Sequence, residues 1–341
     1  MCFFLLGCAP TGREFSGKGA GLLLETPLWR QTPPAIFPVC LGFMSLALGW
    51  HNLSDVLHWI PQDIGNLMLA VSTSYFIWFL AFYLRKLIAR PGVLLEDMRS
   101  PPARAGIAAM AMSMMMLAAA LLPLNVSVPQ VWWTGVVLQI AASAVVLYAI
   151  WRDPPQERRF TTFQYLTFVG PVVGPIAGVE LGYIRESLWL TIAALVAYVP
   201  ITIGIIHDLW TKPLPRVLRP STMIFLAPIS LFALSFGKLG FHDVFLVFYW
   251  VGWVMFIALL FLVPWMIRGG YSPTWAAFTF PTAAFLNVQI LALSKGWGAG
   301  AQFGVYLGLA IATPMILFIA YRSVMLWVTG ELSRISSAAT A

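Results

Sequence analysis

Long apolar runs separated by short polar segments dominate this chain. Positions 105–151 carry no charged residue, and positions 244–294 carry only Arg268. A helix crosses the hydrocarbon of a bilayer with about 20 apolar residues, so each run is long enough for two spans joined by a turn. The same pattern predicts ten membrane-spanning helices, at residues 35–51, 64–84, 104–122, 130–151, 161–181, 187–207, 218–237, 243–267, 273–294 and 299–322.

The ten spans alternate in character. Odd-numbered spans are rich in Gly, Ala and Pro and begin with helix-start signals such as Ser100-Pro101-Pro102. Even-numbered spans carry bulkier side chains, as lipid-facing helices do. We predict an all-α integral membrane protein with five helical hairpins in a quasi-five-fold ring, the odd helices inside and pore-lining, the even helices outside. Residues 33–325 form this domain, residues 1–32 a disordered cytoplasmic tail, and residues 326–341 a short cytoplasmic tail.

Small and polar residues form stripes along the odd spans at the 100° spacing of an α-helix. Such stripes line a lumen or allow close helix packing, and the spacing leaves both readings open. Their recurrence in alternate helices favours a lumen. The candidate pore-lining residues of the first, fifth and seventh spans are Pro38, Gly42, Ser45, Gly170, Pro171, Gly174, Pro228, Phe232 and Ser235.

The ninth span has one small face and one bulky face. Phe280 is the one large side chain on the small face, and Pro281 follows it, so we expect a kink there. If the small face lines a lumen, Phe280 closes it, since an apolar constriction stops ions by excluding water. Otherwise Phe280 fills a gap in the packing. The further candidates of this span are Pro281, Ala284 and Asn287.

Composition excludes a soluble protein, and the placement of charge argues against a nucleic-acid partner. The chain is 60% hydrophobic and 10% charged, whereas soluble domains are about a quarter charged. The net charge is +7, but 17 of the 20 Lys and Arg fall on one side of the ten-span layout. This is the positive-inside bias, which puts both termini in the cytoplasm.

The remaining basic residues, Arg185, Lys238 and Lys295, lie near the outer ends of the fifth, seventh and ninth spans. They could draw anions toward an outer mouth, although outer acids outnumber them. Glu180 is the acid nearest to a span interior. It is either a proton relay or a solvated group that pairs with Arg185.

The middle of each span lacks Lys and Arg. If a solute passes through such a lumen, its contacts would then be helix dipoles and backbone N–H groups at the proline breaks, together with Ser45, Ser235 and Asn287. The four histidines lie near span ends and the three cysteines have no metal-binding spacing. We therefore expect no catalytic residue, no metal site and no cofactor.

Several ordered segments resemble the tellurite-resistance/dicarboxylate transporter family. They are R-P-G-V-L-L-E-D-M-R-S-P, Q-Y-L-T-F-V-G-P, V-L-R-P-S-T-M-I-F-L-A-P-I-S and W-A-A-F-T-F-P. The family includes bacterial tellurite-resistance proteins, fungal malate permeases and plant slow anion channels. The resemblance implies a homotrimer whose pores are lined by the five odd helices, each pore being occluded by a phenylalanine that corresponds to Phe280.

The resemblance implies one of two transport functions in a bacterial inner membrane. One is an anion channel for small anions. The other is a carrier for C4-dicarboxylates or tellurite-related oxyanions, coupled to protons or to exchange. A carrier would use a charged binding partner near the midplane, and the spans offer none, which favours the channel.

Overall fold

The computed structural model describes residues 27–98, 100–152, 159–336 and 339. Residues 1–26 of the predicted N-terminal tail lie outside this part of the chain. The described residues form helices and no strands, which confirms the all-α prediction. The ten principal helices are α1 (Pro34–Val56), α2 (Gln62–Ala89), α3 (Pro101–Leu124), α4 (Pro129–Arg152), α5 (Tyr165–Gly178), α6 (Ile184–Thr211), α7 (Arg216–Lys238), α8 (His242–Gly269), α9 (Pro273–Ser294) and α10 (Ala299–Val328).

Burial alternates along the chain. In α1, α3, α7 and α9, between 72% and 89% of the most apolar stretch is buried, against 22% to 39% in the even-numbered helices. The exposed side chains of the even helices are apolar, as at Trp78, Val137 and Phe261. Such a surface suits lipid rather than water, and nine described helices are long enough to cross a bilayer. The chain is a multi-pass membrane protein.

Contacts between the odd-numbered helices close a circuit. Helix α1 packs against α3, α3 against α5, α5 against α7, and α7 against α9, which returns to α1. Each even helix packs against the odd helix that precedes it in the chain. The five odd helices therefore form an inner ring, and the even helices lie outside it. We call the end of the bundle where the odd helices begin the basic face.

Helix α5 is short and irregular. Residues Tyr165–Val169 form a π-helical turn, Gly170–Val173 a 3₁₀ turn and Gly174–Gly178 an α-helical turn. Pro171 and Pro175 cause the change, because neither has an N–H group to continue a helix. At about 1.5 Å per residue, α5 extends for about 21 Å, less than the roughly 30 Å of hydrocarbon. The span predicted at 161–181 is thus a broken helix, with its irregular turns around the expected breaks at Pro171 and Pro175.

The break frees carbonyl oxygens, and α4 satisfies them. The carbonyl of Thr167 would accept from the N–H four residues on, but that residue is Pro171. Instead, Gln139 Nε2 donates to the carbonyl oxygens of Thr167 at 2.8 Å and Leu166 at 2.9 Å. Ser143 Oγ also donates to Thr167, at 2.7 Å. The sequence suggested free N–H donors at the proline breaks. The groups that these hydrogen bonds reveal are instead carbonyl acceptors, and they point toward α4.

Both ends of the described chain meet at the basic face. Trp327 Nε1 donates to Thr32 Oγ1 at 3.1 Å, and Lys86 Nζ donates to the carbonyl oxygen of Thr32 at 3.0 Å. Gly330, at a φ of 73°, then turns the chain into a short helix, Glu331–Ile335, whose Leu332 is buried. Parts of both predicted tails therefore pack on the bundle.

Candidate functional site

A cavity of about 230 Å³ lies at the centre of the circuit of odd helices. A single water needs about 15 Å³ on the same measure, so several waters or a small anion would fit. All five odd helices build its wall, and among the described residues that line it none is charged. Representative lining residues are Pro38 and Leu41 of α1, Ala105 and Met112 of α3, Leu166 and Gly170 of α5, Ala227 and Leu231 of α7, and Ala277 and Phe280 of α9.

Phe280 belongs to this wall, and its backbone is fixed against α1. A Cβ atom added to Gly42 would lie only 2.7 Å from the backbone nitrogen of Phe280, so the two helices touch there. Thr279 Oγ1 donates to the carbonyl oxygen of Pro38 at 3.1 Å. The residue is 5% exposed. Its backbone is therefore held in place while its side chain belongs to a cavity with free volume.

The other phenylalanines of α9 have a different environment. Phe285 stacks on Phe256 of α8 with ring centroids 4.2 Å apart, and Phe278 packs edge-on to Trp275. Among the described residues, Phe280 has no such aromatic partner. Phe285 therefore fills the interface with α8 and Phe278 packs on a ring of its own helix, while Phe280 borders the central cavity.

The structure brings together part of the predicted pore-lining set. Pro38, Gly170, Pro228, Phe280 and Pro281 all line the cavity, each on a different helix except for the last two. The remaining predicted residues are absent from its described wall, and their contacts explain why. They are Gly42, Ser45, Pro171, Gly174, Phe232, Ser235, Ala284 and Asn287.

Two of the glycines serve helix packing. An added Cβ at Gly42 would lie 2.4 Å from Thr279 Oγ1, and one at Gly174 would lie 2.7 Å from Leu190 of α6. Both distances are shorter than any normal carbon contact. These glycines let neighbouring helices approach closely, which is the alternative that the small-residue stripes left open.

The predicted polar donors are hydrogen-bonded to backbone carbonyls. Asn287 Nδ2 donates to the carbonyl oxygens of Ser45 and Ala283, both at 2.9 Å. Ser235 Oγ donates to the carbonyl of Val172 at 3.1 Å. In the 3₁₀ turn this carbonyl would accept from the N–H three residues later, but that residue is Pro175, which has no N–H. In this conformation these side chains join helices to one another.

Phe232, a predicted pore-lining residue, lies outside the described wall of the cavity. Its ring packs against Tyr198 of α6 and Phe248 of α8, with centroids 5.4 and 5.3 Å away. The cavity face of α7 runs through Ala227, Pro228 and Leu231, and Phe232 lies about 90° around the helix from the centre of that face. The helical spacing placed Phe232 between Pro228 and Ser235 on one face, and of these two only Pro228 lines the cavity, while Ser235 bonds to α5.

Pro281 does not interrupt a regular helix. Helix α9 opens as a 3₁₀ segment, Pro273–Phe278, and becomes α-helical over Thr279–Ser294. Pro281 is the third residue of the α-helical part, directly after the change of helix type. The kink expected beside Phe280 stays a prediction, and the helix changes from 3₁₀ to α at Thr279.

The three predicted outer cations are placed differently from one another. Lys238 forms an ion pair with Glu180, which links the end of α7 to the turn after α5. Glu180 thus pairs with a different cation from the predicted Arg185. The ammonium of Lys295 lies 5.9 Å from the ring centroid of Phe245, and Arg185 is exposed in the first turn of α6.

Two features of the site were missed in the sequence. Gln139 and Ser143, four residues apart in the charge-free fourth span, carried a usable signal, because polar side chains on one face of such a helix need partners. Ile335 and Ser336 also line the cavity. They follow the last span, and no local pattern marks them.

The described residues contain no group of three His, Cys, Asp or Glu side chains that could hold a metal ion. A sequence profile of the family described as voltage-dependent anion channel (SLAC1) matches residues 31–327, which includes nearly all of the ten helices. A comparison with curated proteins gave no match.

Proposed function

The chain belongs to the voltage-dependent anion channel family, and we propose that it conducts small anions through the space between its odd helices, with Phe280 as the gate. The observation that carries this proposal is that Phe280 lies in the wall of a cavity to which all five odd helices contribute. An apolar constriction excludes water, and an ion that must shed its hydration shell there meets a high barrier. Movement of one side chain would then open the pathway.

The proposal also covers the membrane, the oligomeric state and the orientation of the channel. We infer that it lies in a bacterial inner membrane as a homotrimer, with both termini and the basic face toward the cytoplasm. The clustering of Lys and Arg on one side of the layout supports the orientation. The resemblance described above supports the trimer.

The properties of the cavity wall favour a channel over the alternative carrier. A carrier for dicarboxylates must hold two negative charges away from water, which requires cationic or strongly donating partners. The described wall is apolar and uncharged, and the nearby Ser235 and Asn287 are bonded to carbonyls. Such a wall can let an anion pass without trapping it.

Replacement of Phe280 by Ala tests the gate. We expect anion currents in planar bilayers to rise many-fold, because the substitution removes the largest side chain that α9 contributes to the wall. The reversal potential should follow the chloride gradient. Phe285→Ala is the matched control: it removes an aromatic ring from the same helix, but one stacked on α8.

Phe285→Ala should lower stability by about 3–5 kcal/mol, as loss of a buried aromatic does, and leave the current small. A folded Phe280→Ala protein with currents no larger than those of the unmodified chain would contradict the gate. Saturable malate uptake into proteoliposomes by that silent variant would identify the carrier instead.

A further inference from the structure

A second recess, of about 340 Å³, lies beside the central cavity at the basic face. It is bordered by ends of α3, α4 and α6, by the segment before α5 and by the link into α7. Arg104, Arg159 and Lys212 contribute three cations to its wall, and Asp208 contributes one carboxylate. The described wall of this recess carries a net excess of positive charge, whereas that of the central cavity is uncharged.

Asp208 organises one side of the basic recess. Its Oδ2 accepts from the backbone nitrogen of Phe160 at 2.7 Å, and its Oδ1 lies 3.4 Å from Lys212 Nζ. The ring of Phe160 packs directly on Gly204 of α6, where an added Cβ would lie 2.5 Å from it. Phe160 is thus held at both backbone and ring, and the backbone of the neighbouring Arg159 accepts from Gln164 Nε2 at 3.1 Å.

The recess and the central cavity share two wall residues, Phe163 and Leu218. We propose that the basic recess binds a small inorganic anion and delivers it to the central cavity past these two side chains. The positive wall raises the local concentration of anions, which the uncharged cavity cannot do by itself. Delivery rests on the proposed channel function, whereas binding of an anion does not. The shared wall favours a permeant ion over the phosphate of a lipid.

The test of delivery uses Arg159→Gln and Lys212→Gln in the Phe280→Ala background. We expect each to reduce chloride current from the basic face about threefold in dilute salt, the factor for loss of one unit charge about 6 Å away in water. The loss should vanish near 1 M salt, where the Debye length is about 3 Å. Arg322→Gln is the control, because this cation stacks on Tyr271 and lines neither space.

Three outcomes would overturn the proposal. Currents unaffected by both substitutions would remove the recess from the pathway while leaving the gate intact. An effect that appears only in bilayers with anionic lipid would assign the recess to a lipid phosphate. Bromide soaked into crystals of the unmodified protein gives an independent reading, since anomalous density should appear between Arg159 and Lys212. Its absence would contradict binding even if Phe280→Ala carried no current.

Discussion

Gln139 illustrates how single polar side chains support this fold inside the membrane. Its amide nitrogen donates to the carbonyls of Leu166 and Thr167 in α5, and Pro171 leaves the carbonyl of Thr167 without its α-helical donor. A carbonyl group without a partner costs several kcal/mol in hydrocarbon, where water cannot replace the lost bond. Gln139 therefore allows α5 to be irregular where it lines the central cavity.

Replacement of Gln139 by Leu should lower the free energy of unfolding by about 1–3 kcal/mol. Ser143 still donates to Thr167 in this variant, so the carbonyl of Leu166 is the group that loses its donor. Thermal unfolding of the detergent-solubilised protein measures the effect. Gln130→Leu, at an exposed position of the same helix, is the control and should have little effect. Equal stability of the two variants would show that the bond is unimportant.

The residue scale is also where sequence reasoning was weakest. Phe280 could be identified because it is the one large side chain on a small face, a property that regular helical spacing preserves. Ser45, Ser235 and Asn287 were taken to mark the lumen because they are polar. Ser235 and Asn287 donate to carbonyls of neighbouring helices, and Ser45 Oγ accepts from Asn287. These bonds depend on the distance and rotation of neighbouring helices, which spacing within one helix does not specify.

At the scale of elements, the contact between α1 and α9 is the one that holds the candidate gate. Gly42 lies against Thr279 and the backbone of Phe280, and any side chain there would force the helices apart. Hydropathy was sufficient to predict the helices and their alternation, since lipid exposure depends mainly on composition. It did not predict that α5, α7 and α9 contain π or 3₁₀ segments, because hydropathy measures apolar character and not the type of helical turn.

Substitution of Gly42 by Ala should destabilise the protein, although Ala is normally the better helix former by about 1 kcal/mol. The new methyl group would overlap backbone that cannot move aside. Gly252→Ala is a matched comparison within α8, where the nearest atom is 3.7 Å away, and it should be neutral or stabilising. The measurement is the melting temperature of each variant, and we expect that of Gly42→Ala to be the lower. A melting temperature of Gly42→Ala at or above that of Gly252→Ala would refute close packing at this site.

At the scale of the whole molecule, a buried ion pair ties distant parts of the chain together. Lys86 Nζ lies 3.5 Å from Asp97 Oδ2, and both side chains are fully buried. Lys86 also donates to the carbonyl of Thr32, and Asp97 Oδ1 accepts from the backbone nitrogen of Ala339 at 2.9 Å. The pair thus connects α2, the link before α3 and both ends of the described chain.

Lys86→Met should destabilise the protein by about 3–5 kcal/mol, because it leaves the buried carboxylate of Asp97 without its cation. The double variant Lys86→Met, Asp97→Asn should recover part of that loss, since it removes the isolated charge as well. Denaturation of the purified variants measures both effects. Equal stability of the single and double variants would mean that charge burial is not the cause.

The uncharged wall of the central cavity has a consequence for how a membrane potential would act on this protein. A potential does work only on charge that moves through it, about 2.3 kcal/mol per elementary charge per 100 mV. The described wall offers no gating charge of its own. Under the proposed function, the field would instead pull on the anion approaching the constriction, so that the permeating ion would itself be the voltage sensor.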